Sequence, residues 1–151
     1  MLLQVKATLA KPNAKLPTWG SPDAAGLDLY AALSEEQMPF VTINPGETVL
    51  ISVGIKTSFT PGYAAFLYAR SGVATKRHLA PANKVGVVDA DYRGEWFVPI
   101  HNHSNEPQII EDGERIAQVI FQEVEHPQIV LVESLDSTER GDGGFGSTGV
   151  K

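Results

Sequence analysis

The sequence predicts an all-β domain, and three observations point that way. Fourteen Gly and 10 Pro among 151 residues exceed the usual share, which implies many turns and short elements. The strand-like runs are short, and turn-forming Gly, Pro, Asn or Asp bound them. Helical pattern is confined to two brief stretches, too little to support an α/β fold. A sandwich, a barrel or a jelly roll fits this pattern.

Taken in order, the N-terminal MLLQVKATLA is too short an apolar stretch for a signal peptide. The phrase GLDLYA is strand-like and sets Asp28 between Leu27 and Leu29. A carboxylate among apolar neighbours is costly to bury unpaired, so Asp28 either faces solvent or has a task. Ser34 to Met38 allows about one helical turn. Thr48 to Phe59 reads as one strand: Val49, Ile51, Val53 and Ile55 alternate, and the turn residues Asn44, Pro45 and Gly46 precede it. Tyr63 to Ala69 is a further strand, and Val73 to Leu79 allows about two helical turns before Pro81. Val85 to Val88, Trp96 to Ile100, Arg115 to Val124 and Ile129 to Val132 complete the strands. Pro99 lies inside one of them and cannot donate to a ladder, which predicts an edge or a bulge there.

A mass of 16.3 kDa and 42% hydrophobic residues fit one globular domain. The boundaries predicted are a β domain over residues 1–139 and a flexible C-terminal arm over 140–151. Formal charge is −6, which excludes a broad basic face for nucleic acid. The absence of Cys rules out disulfides, thiolate catalysis and Cys-ligated zinc. No apolar run approaches the length of a membrane span. A soluble cytoplasmic protein, not secreted, is the expectation. P-loop, Rossmann and nucleophile-elbow motifs are missing.

Four of the five Arg residues sit in Gly-containing phrases: Arg70 in ARSG, Arg93 in DYRG, Arg115 in DGER and Arg140 in RGDGGFG. A guanidinium suits bidentate phosphate contact and Gly permits close backbone approach, although surface arginines beside turns are common. Asp89 and Asp91 end an apolar run two residues apart, so in extended geometry they point the same way. They are either a metal-holding or general-base pair or the polar end of a strand. His101 and His103 have a chelating spacing but no evident third ligand. From Gly141 to Lys151 five of eleven residues are Gly, which makes the segment either a frayed tail or a flap that wraps a phosphate.

In order, AAGLDLYA, ARSGVA, GVVDADYRG, GERIAQVIF and RGDGGFGSTG resemble the five motifs of the trimeric dUTP pyrophosphatase (dUTPase) family. Ala69 and Asp112 stand where that family usually has Pro. The resemblance implies a distorted jelly-roll or β-clip subunit with at most one short helix, and a homotrimer with shared active sites. It also implies Mg²⁺-dependent hydrolysis of dUTP to dUMP and pyrophosphate, which keeps uracil out of DNA and supplies dUMP for dTMP synthesis.

Carried onto these positions, the resemblance makes Asp89 the general base for a water attacking the α-phosphorus. Asp28 stands near Mg²⁺ through bound water. Arg70, Ser71, Gly72, Gln118 and Arg140 supply phosphate donors. The Asn83 carboxamide, with backbone groups of Gly86, Val87 and Val88, matches the acceptor, donor, acceptor edge of uracil. Tyr92 packs on the deoxyribose and leaves no space for a 2′-hydroxyl. Phe145 stacks on uracil, and Arg140, Gly146, Ser147 and Thr148 close over the γ-phosphate. Neither nucleic acid nor a membrane is expected as a partner. A dCTP deaminase would share the fold and trimer, but would carry a catalytic Glu and lack the RGDGGFGSTG arm.

Overall fold

A computed structural model describes residues 3–145. In chain order its elements are β1 (Lys6–Leu9), β2 (Thr18–Trp19), β3 (Leu27–Tyr30), β4 (Phe40–Ile43), β5 (Thr48–Ser52) and β6 (Ile55–Ser58). They continue as β7 (Tyr63–Ala69), α1 (Ser71–Arg77), β8 (Leu79–Pro81), β9 (Gly86–Asp89), β10 (Phe97–Asn102), β11 (Gln108–Glu111) and β12 (Arg115–Glu123). Every strand pairing is antiparallel. The sheets run β2-β3-β12-β7-β9, β5-β10-β8, β1-β6 and β11-β4. Together they make a jelly-roll-like β fold around a core that includes Trp96, Leu29, Ile51, Ile100 and Val119. Among the described residues no helix is long and apolar enough to cross a membrane.

The run from Thr48 to Phe59, expected as one strand, is two. Ile51, Val53, Ile55 and Thr57 are buried as the alternation predicts, but so are Ser52 and Gly54 between them, and β5 pairs with β10 whereas β6 pairs with β1. The chain changes sheet at Gly54, whose φ of 66° lies in the left-handed region that favours glycine. A Cβ there would overlap the Ala14 methyl and come within 2.8 Å of Ala32 Cβ. Gly54→Ala is therefore expected to cost about 2–4 kcal/mol from backbone strain and overpacking, read as a lowered midpoint of thermal or urea unfolding.

The helix is displaced from its expected span. It starts at Ser71, directly after the extended Arg70, and ends where His78 turns left-handed at φ 55° and donates its N–H to Val73 O. Leu79 already belongs to a strand. Ser34 to Met38 forms a hydrogen-bonded turn: Gln37 and Met38 both donate to Ser34 O at 3.0 Å, and Pro39 follows without an N–H.

Pro99 is in the middle strand of its sheet, not at an edge or bulge. Its carbonyl accepts from Ala82 N at 2.7 Å, one residue past the end of β8, so its missing donor falls at the sheet margin. Ile129 to Val132 is not a strand. It has no pairing partner among the described residues and is exposed, Leu131 to 98%.

Candidate active site

Asp28 lies in β3, where Cα partners on both sides, Thr18 and Gln118, fix its direction. It is buried, with 8% of its surface exposed, and its charge is matched. Arg70 Nε donates to Oδ1 at 2.7 Å and Arg115 Nη1 to Oδ2 at 3.1 Å. Arg70 Nη1 also reaches Arg115 O at 3.4 Å. Asp28 therefore does not face solvent: it is an inward carboxylate held by two guanidinium groups, which offset the cost of its burial.

A cleft of about 470 Å³ opens beside this trio. Arg70, Ser71, Gly72 and Gln118 line it together with Asp28 and Arg115. Ser71 and Gly72 begin α1, whose first helical bond is Ala74 N to Arg70 O, so the N–H groups before it have no intrahelical acceptor. A Cβ at Gly72 would meet no protein atom; what glycine leaves free is the cleft itself. Gln118 donates through Nε2 to Ala69 O at 2.9 Å, which orients its carboxamide. Gly26 packs so closely that a Cβ would come within 3.0 Å of Val119 O and 3.2 Å of Gln118 Oε1. The turn-rich segment Gly20 to Gly26 thus forms the cleft wall by close backbone approach.

The remaining expected residues lie elsewhere. β9 carries Gly86, Val87, Val88 and Asp89 at the end of the five-stranded sheet, so its outer side pairs with no further strand among the described residues. Val87 is 59% exposed, and Asn83 and Asp89 are also exposed. Gly86 lets the strand pass Leu67, since a Cβ there would approach Leu67 Cβ to 3.1 Å and Asn83 Nδ2 to 3.5 Å. Asp91 does not share the direction of Asp89. The strand stops at Asp89 and a turn follows, in which Tyr92 N donates to Asp89 O at 3.2 Å.

In register, Asp28 aligns with Gln118 and Tyr68, whereas Asp89 aligns with Ala64. Strand spacing and rise put the two carboxylates roughly 20 Å apart within one chain. A single subunit does not bring them together.

The other basic groups sort by partner. Arg93, a candidate phosphate ligand by sequence, donates to Ala90 O at 2.7 Å and to Thr57 O and Tyr92 O at 3.3 Å, and so fixes its own turn. Arg77 is held by Glu114 and by Ile109 O. Arg140 Nε donates to Gly143 O at 2.8 Å, and Phe145 is fully exposed. Gly146, Ser147 and Thr148 lie outside the described residues.

His101 and His103 face each other with ring centroids 4.4 Å apart, and His101 Nδ1 pairs with Thr48 Oγ1 at 2.8 Å. Desolvation, then the charges of His101, Lys84 and His78, push His103 below the ordinary histidine value. No group of three His, Cys, Asp or Glu able to hold a metal exists among the described residues.

Sequence reasoning saw Arg115 but not its pairing with Asp28, which crosses 87 positions. The cleft wall at Gly20, Ser21 and Ala24 was also missed, and its signal was the density of small and turn residues before LDLY. Asp112, where Pro is usual in the resembled family, donates its N–H to Pro39 O at 3.0 Å, a bond proline could not make. Its Oδ1 accepts from Leu33 N at 2.9 Å and Asn13 Nδ2 at 2.7 Å.

A family model described as dUTPase matches residues 12–149. A deoxyuridine 5′-triphosphate nucleotidohydrolase of Desulfitobacterium hafniense (strain DSM 10664 / DCB-2) is 49% identical over 137 residues, covering 90% of this chain and 88% of that protein. One from Caldanaerobacter subterraneus subsp. tengcongensis is 43% identical over 150 residues, covering 99% of each. Among solved structures, a mutant dUTPase of Staphylococcus bacteriophage 80alpha with dUpNHpp superposes with a TM-score of 0.83 at 29% identity, covering 97% of this chain and 99% of that one.

Proposed function

The chain belongs to the dUTPase family and is a dUTP diphosphatase, and from that premise we propose how its residues divide the work. The reading rests above all on one observation: Asp28, the consecutive Arg70, Ser71 and Gly72, and Gln118, three segments far apart in sequence, converge on one open cleft. That cleft takes the triphosphate. Arg70, the Ser71 hydroxyl, the free N–H groups at the start of α1 and the Gln118 carboxamide neutralise and position the phosphate oxygens, the main task in phosphoryl transfer.

The donor set suits Mg²⁺ held mainly by substrate oxygens. One carboxylate, both of whose oxygens are already bonded to arginines, is no cage, and Mg²⁺ commonly keeps its waters and binds through one or two carboxylates plus phosphates. Asp28 would hold it through water, and the ion when bound supplies charge neutralisation of the polyphosphate. Removing the metal with a chelator is expected to abolish turnover, and adding Mg²⁺ back to restore it.

Asp89 accepts a proton from water as its oxygen bonds to the α-phosphorus, and the α,β-bridging oxygen departs with pyrophosphate. Asn83 and the free edge of β9 at Gly86, Val87 and Val88 read the uracil edge. Tyr92 lies against the deoxyribose and rejects a 2′-hydroxyl. The arm, residues 140–151, closes over bound nucleotide, with Phe145 on the base and Arg140, Gly146, Ser147 and Thr148 on the γ-phosphate.

Asp89 and Asp28 are about 20 Å apart in one chain, too far to serve one nucleotide α-phosphate and its metal together. A homotrimer in which the β9 edge of one subunit faces the cleft of another resolves this. The exposed Ile129 to Val132, apolar and unpaired, fits a segment covered by a neighbouring copy. Sedimentation equilibrium should return three times the chain mass; a monomer with full activity would rule out the shared site.

Arg115→Ala leaves Asp28 with one guanidinium where it had two. We expect kcat/KM for dUTP to fall about tenfold to a hundredfold, with the fold intact by circular dichroism. The activity itself is tested with each deoxynucleoside triphosphate and UTP, measuring pyrophosphate and ammonia. Pyrophosphate from dUTP alone is the expected result, and ammonia from dCTP would point to a deaminase.

A further inference from the structure

We propose that Gly94 is a specificity-determining residue, which sets sugar selection by reserving the space in which the Tyr92 ring rests. The proposal rests on the reading of Tyr92 as the group that rejects a 2′-hydroxyl.

Tyr92 is 46% exposed and lies outside every strand, so packing alone does not fix its ring. Two contacts do. Its hydroxyl donates to Glu95 O at 3.2 Å, and the ring lies over the backbone of Gly94. A Cβ at Gly94 would overlap Tyr92 Oη and Cζ and come within 2.8 Å of Cε2. All three atoms it would strike nearest belong to that one side chain.

The backbone does not ask for glycine here. Gly94 is not among the residues with positive φ, unlike Gly54 or Gly113, so an L-residue can adopt its conformation. The requirement comes from the side chain above it. Because the obstructed group is the mobile end of a half-exposed side chain, a methyl at position 94 should move the ring and leave the chain folded. Arg93, which ties this turn to Ala90 O and Thr57 O, keeps the backbone in place while the ring moves.

Loss of the ring from its resting place opens the region in which it lies against the sugar. A wall that excludes an added hydroxyl by contact supports discrimination of about a hundredfold, and its displacement should remove most of that.

The test compares the ratio of kcat/KM for dUTP to that for UTP in the wild type, Gly94→Ala, Tyr92→Ala and the double variant, with unfolding temperatures as controls. Gly94→Ala should lower the ratio about tenfold while its unfolding temperature stays close to wild type. In the Tyr92→Ala background the same substitution should change nothing, because the ring it displaces is gone. If Tyr92→Ala collapses the ratio and Gly94→Ala leaves it intact, the role of Gly94 is wrong and the reading of Tyr92 stands. If Tyr92→Ala leaves the ratio intact, the reading of Tyr92 fails and the proposal falls with it. An equal effect of Gly94→Ala in both backgrounds overturns the proposal, since the effect would then bypass the ring.

Discussion

Asp89→Asn should reduce turnover of dUTP by about 10²- to 10⁴-fold while nucleotide binding remains measurable. The carboxamide is almost isosteric with the carboxylate but cannot accept a proton from water at neutral pH. Because Asp89 is exposed at the end of β9 and its side chain makes no hydrogen bond or ion pair among the described residues, replacing it removes chemistry and not packing. KM should change far less than kcat, as expected when an interaction is made only in the transition state. Steady-state release of pyrophosphate, with a fluorescence or calorimetric titration of nucleotide, separates the two quantities. Near-normal turnover would remove Asp89 from the role of base.

Truncation after Thr138 should leave the folded core intact and lower kcat/KM by about 10²-fold or more. The core lies entirely within residues 14–119, and the chain from 125 to 142 is exposed throughout. None of the described residues that the truncation removes, 139–145, belongs to a strand. What it removes includes Arg140, a guanidinium whose Nε bonds the nearby Gly143 O, and Phe145, an aromatic ring fully exposed among the described residues. Groups so placed contribute little to folding and gain their contacts only against ligand. The unfolding temperature should match that of the full chain, and normal turnover by the truncated protein would end the closing role of the arm.

Much of the sheet was legible because burial leaves a period in the sequence. β7 is bounded as its apolar run predicts, and β12 differs by one residue, because both strands sit inside the five-stranded sheet with a packed face. β1 carried no such signal, as all four of its residues are exposed. β2 has only two residues, and β11 places Ile109 and Ile110 side by side, which obscures the alternation. The run through Gly54 kept its alternate apolar residues buried while its hydrogen-bond partner changed, and periodicity reports the buried face without naming the neighbour. Ile129 to Val132 illustrates the same limit: its apolar pattern asks for a covered surface, and no such surface meets it among the described residues.

At the site, residue type was legible and placement was not. Asp28 could be recognised as a carboxylate in need of compensation, but Arg115 reaches it from another strand across a pairing that sequence spacing does not encode. Asp89 and Asp91 look like a pair only if the strand continues, and the turn at Ala90 separates them. Arg93 looked like Arg70 because both stand beside Gly, yet one meets carbonyl oxygens and the other a carboxylate.

The open side of β9 has a consequence for the newly made subunit. A strand with unpaired donors and acceptors offers itself to any other extended chain, and proteins commonly guard such edges with charge. Here Lys84 stands just before β9, and Asp89 and Asp91 stand at and beyond its end. These charges oppose stacking of like strands on this edge. Beyond the role in water activation proposed for it, the Asp89 charge would guard this edge, and Asp89→Asn should make the protein more prone to aggregate as well as slower.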